Sequence, residues 1–369
     1  MKSGIKHTKK ITAVFAALMI IFIALICLFS SGCNYEINYE YNVEYEGGEG
    51  YYVVKASGYV NRLNGELVIP STYGEGDKQA PVKEIAESGF RGTGITKLVI
   101  PNTVTKIGAA AFANCANLEN VEFEEGSTLK EIPNGMFGFD TRLKEITVPE
   151  TVESIGYRAF FSCKSLATVN LSQNLKTVAE GAFEECSALS RIILPEGLES
   201  IGKRAFYLSG LTEIVIPDSV HDTQIPVTDE DGHPVTNEDG TPKTKTVYGL
   251  DYGAFHTCRK LKKVVLGSGI TEIKSGVFGY CDGLEEIYIP SSVKKIAGVY
   301  TDVKYFWGHA FHHCSSLKII NYAGTEEEWA QIDIDKDNKN QNGATFNNNA
   351  LLKDKNDKLN IIYNKSYAE

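Results

Sequence analysis

Val152-Glu153-Ser154-Ile155-Gly156-Tyr157-Arg158-Ala159-Phe160-Phe161-Ser162-Cys163-Lys164-Ser165-Leu166-Ala167-Thr168-Val169-Asn170-Leu171 is one copy of a template that occurs nine times between Val82 and Tyr322. The anchors are Phe90, Phe112, Phe137, Phe160, Phe183, Phe206, Phe255, Phe278 and Phe311. Eight residues before them stand Val82, Val104, Leu129, Val152, Leu175, Leu198, Val247, Ile270 and Val303. Five before stand Ile85, Ile107, Ile132, Ile155, Val178, Ile201, Leu250, Ile273 and Phe306. Three more apolar slots follow each anchor, as in Leu166, Val169 and Leu171. A chain that is 43% hydrophobic does not fill every such slot by accident. A fixed period near 23 residues is the signature of a solenoid, whose coils bury their faces against one another. The predicted fold is a β-rich α/β solenoid of nine coils, built from short strands and short helical or 3₁₀ turns.

Within a coil, Val152 to Ile155 reads as a first extended stretch and Gly156 as a turn. Tyr157 to Cys163 reads as a tight segment that turns Phe160 inward, and Leu166 to Leu171 as a second strand. Pro70, Pro101, Pro149, Pro195, Pro217 and Pro290 close strands, because proline cannot donate to a ladder.

The chain has eight cysteines. Cys115, Cys163, Cys186, Cys258, Cys281 and Cys314 each follow their anchor by three residues, where other copies have Thr93, Asp140 and Ser209. One equivalent position per coil makes a column, which wants a small side chain able to bond nearby backbone. Neighbours at ~5 Å, such as Cys163 with Cys186 or Cys258 with Cys281, also satisfy the distance for a disulfide. A straight column does not make ligands converge on a metal.

The pattern Val-x-x-Ile-Gly-x-x-Ala-Phe-x-x-Cys-x-x-Leu-x-x-Val-x-Ile-Pro resembles the BspA-like leucine-rich repeat of bacterial surface proteins, from about Leu67 to Tyr322. The segment Tyr322-Ala323-Gly324-Thr325-Glu326-Glu327-Glu328-Trp329 resembles that family's terminal strand and closing helix. Thr325 and Glu328 also have capping-box spacing, so a helix is predicted there on physical grounds. Trp329 is expected to cover the last coil and Leu359 to Tyr363 to add a final strand. The resemblance implies a cell-surface adhesion or recognition role and no catalytic residue.

The division expected is a signal at 1–32, a tether at 33–50, an N-terminal cap at 51–81, the repeats at 82–322 and a C-terminal cap at 323–369. Met1 to Lys10 is basic, Ile11 to Phe29 is an apolar run of 19 residues, and Ser30-Ser31-Gly32-Cys33 follows. This resembles a bacterial lipoprotein signal in which Cys33 carries the lipid, although Ser30 stands where that family prefers Leu. The alternative is an uncleaved anchor, since such a run can span a bilayer. Net charge is −10, which disfavours nucleic acid as a partner.

Deviations from the template are where recognition would reside. The insertion 221–246 carries a duplicated octapeptide, Val227 to Pro234 and Val235 to Pro242. It reads as a polar hairpin, with Asp229, Asp231, Asn237 and Asp239 as a weaker calcium alternative. Ten extra residues lie between Phe278 and Phe311, around Ala297 to Asp302. Ile193, Val215, Val265 and Tyr288 occupy one outward strand position in successive coils. They are predicted to form an apolar stripe, either a partner surface or a face that the insertion covers. His309, His312 and His313 read as a solvated trio and not a metal site. Asp333, Asp335 and Asp337 begin like a calcium loop but lack its glycine and glutamate.

Phosphate loops, nucleophile elbows and zinc helices are missing from the sequence, so neither an enzyme nor a cofactor is expected. The function predicted is that of an extracellular, lipid-anchored repeat protein on the bacterial membrane. It would recognise a host or bacterial surface protein, or a glycan. A passive envelope or stalk element is the alternative.

Overall fold

A buried backbone N–H must be paired either within its own coil or with a carbonyl one coil away, and that requirement organises the molecule. The structure is a computed structural model describing residues 35–43, 50–58, 60–227, 235–237, 241, 243–297, 300–301, 306–334, 338–339, 345–346 and 359–366. Cys33 and the whole 1–32 segment lie outside these.

Two parallel ladders run along the stack in separate segments. The first joins Glu131–Ile132, Ser154–Ile155, Thr177–Val178 and Ser200–Ile201, and continues by a bridge from Ile201 to Leu250. The second joins Glu213–Val215, Lys263–Val265, Glu286–Ile289, Ile319–Tyr322 and Asn360–Ile362. The strands are two to five residues long in most coils because only the core-facing slots and their neighbours are extended.

Between the ladders lies the tight segment, and here the structure departs from the predicted helical or 3₁₀ turn. Residues two before and two after the anchor are left-handed, among them Arg158 (φ 51°), Ser162 (φ 58°), Arg204 (φ 56°) and Leu208 (φ 57°). The alternation ends any helix after one turn and sorts the N–H groups. Those of Ala159, Phe161 and Cys163 close bonds inside the turn, to the carbonyls of Gly156, Arg158 and Phe160. Those of Arg158, Phe160 and Ser162 donate to Glu180, Ala182 and Glu184 of the next coil, at 3.0, 2.8 and 2.8 Å. A left-handed residue with a side chain costs roughly 1–2 kcal/mol, comparable to the roughly 1–3 kcal/mol of a buried N–H left unpaired. The anchor bonds recur down the column, from Phe90 to Ala111 at 2.7 Å through to Phe278 to Ala310 at 2.9 Å.

This third column fixes the core. All nine anchor rings are buried, and consecutive rings stack with centroids 5.1 to 6.1 Å apart and planes within 19°. Beside them runs the cysteine column. Each thiol donates to the anchor carbonyl of the preceding coil, from Cys163 to Phe137 at 3.1 Å and from Cys186 to Phe160 at 3.2 Å. All six are buried and free. Burial raises their pKa values, to about 12 for Cys258 and Cys314, so the thiols are inert at neutral pH.

Counting back from the anchor misplaces two coils. The buried residue in the first slot before Phe255 is Val220, not Val247, which lies in a hairpin strand Thr244–Val247 paired with Thr223–Pro226. Before Phe311 the slots are filled by Val293 and Ile296, and Phe306–Trp307 instead pairs with Tyr300–Thr301. The extra residues enter inside the coil, so the chain count no longer follows the core. Val303 lies outside the described residues.

Both ends are closed. Thr325 and Glu328 form the capping box of a helix, Glu326–Ala330, whose Trp329 packs edge-on against Tyr322 at 5.1 Å. At the other end, the stretch expected as a tether is a strand, Tyr35–Val43, antiparallel to Gly50–Gly58.

Asp140 occupies a cysteine slot. One carboxylate oxygen accepts from the Cys115 N–H at 2.7 Å, and the other is buried without a partner. Burial drives this carboxyl well above the ordinary aspartate range, against the smaller pull of that bond. Below about pH 4 both folded and unfolded chains hold the proton. As pH rises the unfolded chain releases it first, so stability drains until the folded carboxyl ionises. Asp140→Asn mimics the protonated form and keeps the acceptor. Its stability advantage over the parent, from denaturant unfolding, is expected to widen as pH rises from 4 to neutrality; a constant gap contradicts the assignment.

Candidate recognition surface

The second ladder presents one outward residue per strand, and the register aligns Val215, Val265, Tyr288, Asn321 and Ile362. Ile193, on the irregular stretch between Thr168–Asn170 and Glu213–Val215, is 70% exposed and Val215 is 46% exposed. Val265 does not belong to the exposed stripe, being only 4% exposed. It stands between Val215 and the larger Tyr288 at one strand spacing on each side. Tyr288 is half-buried. The described part of the insertion leaves Ile193 and Val215 open.

Around this apolar pair the face is paired charge. Lys97 lies 3.0 Å from Glu66, Lys144 lies 2.6 Å from Glu119, Arg191 lies 3.6 Å from Glu213, and Lys263 lies 3.7 Å from Glu286. Such exposed pairs add little to stability because water screens them. On the first-ladder side, an open groove of about 590 Å³ is lined by Lys106, Lys130, Glu131, Glu153 and Lys176. Its charges are also paired, Lys130 with Glu153 at 2.8 Å.

A second feature, partly exposed and not read from the sequence, runs along the tight turns. Tyr207, His256, Tyr280 and His313 form a continuous column, with centroids 5.6, 5.3 and 4.7 Å apart, and the Arg204 guanidinium lies 4.0 Å over Tyr207. Phe139 and Phe161 start another, with Arg158 over Phe161 at 4.7 Å. Buried Glu184 pairs with both Arg158 and Arg204. Part of the signal stands in the sequence: Phe161, Tyr207 and His256 directly follow their anchors, and Tyr280 and His313 lie two residues after theirs.

The histidines at 309, 312 and 313 are not a solvated trio. His309 is 6% exposed and His312 half-buried, with His313 alone outward. Among the described residues no cluster of three or more His, Cys, Asp or Glu could hold a metal. Of the calcium candidates, Asn237 closes a turn, its Nδ2 donating to Thr241 Oγ1 at 3.0 Å; Asp229, Asp231 and Asp239 lie outside the described residues. Asp333 is in a strand paired with Lys295, while Asp335 and Asp337 are also outside. Among the described residues no helix is long and apolar enough to cross a membrane.

The repeats match the family model of the BspA type leucine rich repeat region in six copies, over 83–137, 123–225 and 242–328, more than half of the chain. Similar solved structures include a leucine rich cell surface protein from Faecalibacterium prausnitzii A2-165, 23% identical, with TM-score 0.44, covering 80% of this chain and 96% of that one. Another is the pneumococcal vaccine antigen PcpA, 21% identical, with TM-score 0.49, covering 80% and 81%. A leucine-rich repeat protein from Bacteroides ovatus ATCC 8483 is 23% identical, with TM-score 0.35, covering 77% and 80%. No curated protein matches the chain.

Burial lowers the His256 pKa to about 4, with the charges of Arg204 and His312 adding to it. Above the ordinary value near 6.5 both states are neutral; as pH falls the unfolded chain takes up a proton that the folded chain refuses. Stability is therefore expected to drop between pH 6.5 and 4 by on the order of 3 kcal/mol from this group. His256→Phe keeps the stacked ring and removes the titration. Its unfolding free energy should fall less over that window, and an unchanged slope contradicts the assignment.

Proposed function

We propose, starting from the fact that this chain belongs to the BspA-type leucine-rich repeat family, that it is a lipid-anchored surface protein that captures a macromolecular partner. The partner is a host or bacterial surface protein, or a glycan, and the solenoid's second-ladder face meets it. One observation carries this reading: Ile193 at 70% and Val215 at 46% exposure stand in neighbouring coils on a face that elsewhere carries several ion pairs. Bulky aliphatic side chains left in water on a rigid sheet have no folding role, and apolar patches of this kind mark contact surfaces. The repeats act as scaffold, and no catalytic role is proposed. Anchoring rests on Ser31-Gly32-Cys33 following the apolar run from Ile11 to Phe29.

The full chain displayed on cells is to be probed against arrays of extracellular-matrix proteins and glycans. Ile193→Glu with Val215→Glu is expected to weaken capture at least about tenfold while leaving thermal unfolding unchanged. Capture at parental strength, or no ligand for the parent at all, favours a passive stalk instead. Cys33→Ser is expected to abolish lipid labelling, and labelling that persists contradicts the anchor.

A further inference from the structure

The residue after Ile273 is a lysine where Gly108, Gly156 and Gly202 stand in other coils. Lys274 is consequently drawn inward and is only 2% exposed. Its Nζ lies 3.0 and 2.9 Å from Oδ1 and Oδ2 of Asp222, at the root of the long insertion, and 4.4 Å over the Tyr248 ring. The Gly249 N–H donates to Asp222 Oδ1 at 2.9 Å. It reaches that oxygen because a Cβ on Gly249 would stand 2.5 Å from His221 backbone atoms, so only glycine lets the two segments approach. The Gly249 carbonyl is tied to the solenoid by the Ile201 N–H at 2.7 Å, and the Asp251 N–H returns to Ile201 at 3.0 Å.

An amine, a carboxylate, a backbone donor on one carboxylate oxygen and an aromatic wall are thus assembled by two segments far apart in sequence. An ion pair alone needs neither the near-complete burial of the lysine nor the glycine-delivered N–H. We propose that Lys274 and Asp222 are the partners of an intramolecular isopeptide bond. The ε-ammonium passes one proton to Oδ2 within the pair, and the freed nitrogen lone pair attacks Cγ. Negative charge then develops on Oδ1, where the Gly249 N–H already points. A second proton moves from nitrogen to Oδ2, the Cγ–Oδ2 bond breaks, and Oδ2 leaves as water. The Nζ–Cγ bond remains as an amide, with no oxidant or reductant required and charge conserved. Water departs on the outer side, where the Asp222 side chain is 32% exposed. Asp251, whose carboxyl burial raises above its ordinary value, lies within the electrostatic reach of Lys274 and offers a second proton carrier. The product is a covalent ring spanning Asp222 to Lys274 that pins the insertion to the eighth coil.

Intact mass spectrometry of the purified full chain, kept folded at neutral pH, reads this directly. The parent is expected to be lighter than its sequence by one water, and digestion should release a single joined peptide containing Asp222 and Lys274. Lys274→Arg, which keeps the charge but not the nucleophile, should show its full mass. Asp222→Asn should lose ammonia in place of water. A parent at full sequence mass overturns the proposal without relying on any variant folding. A water missing equally from Lys274→Arg places the bond elsewhere and also overturns it.

Discussion

A buried backbone N–H that no partner in its own turn satisfies must find an acceptor one coil away, and the left-handed residues on both sides of the anchors from Phe90 to Phe278 make that possible. They turn a stretch that would otherwise close on itself into one that bonds alternately inward and along the stack. The consequence for the core is direct. With the Phe N–H bonded to the next coil, its ring has one place to go, and the rings pile face to face from Phe90 to Phe311. The thiol column follows from the same geometry, since each anchor carbonyl is left pointing at the slot three residues after the next anchor.

Much of this was legible in the residues. The anchors, the slots around them, the capping box at Thr325 and Glu328, and the preference for small polar-capable residues in the cysteine slot all follow from periodicity and side-chain chemistry. What escaped has physical causes. Counting back from Phe255 and Phe311 assumes an unbroken coil; the long insertion enters between Val220 and the first-ladder residue Leu250, and the shorter one between Ile296 and Phe311, so Val247 and Phe306 stood in for Val220 and Ile296. Val265 holds the same template slot as Val215, yet it is buried while Val215 is exposed, and slot alone does not set exposure. The ring column from Tyr207 to His313 was legible only in part, as aromatic residues one or two places after several anchors, because its members are adjacent only through the stack.

The same logic separates the surfaces. Wherever two coils place opposite charges at one register, the face is neutralised, as at Lys97 between Glu66 and Glu122. Ile193 and Val215 interrupt that pattern on the second-ladder side. The long insertion departs from the first-ladder side, where Asp222 holds its root against Lys274, and its described part leaves the apolar pair unobstructed. Recognition and reinforcement therefore occupy different parts of the solenoid.

Native-state hydrogen exchange at the anchor amides tests the organising constraint most directly. The N–H groups of Phe137, Phe160, Phe183 and Phe206 are expected to exchange only through global unfolding, together and with one opening free energy. Rapid or independent exchange at those amides would mean that the coils are not bonded to one another there, and the account would fail at its base.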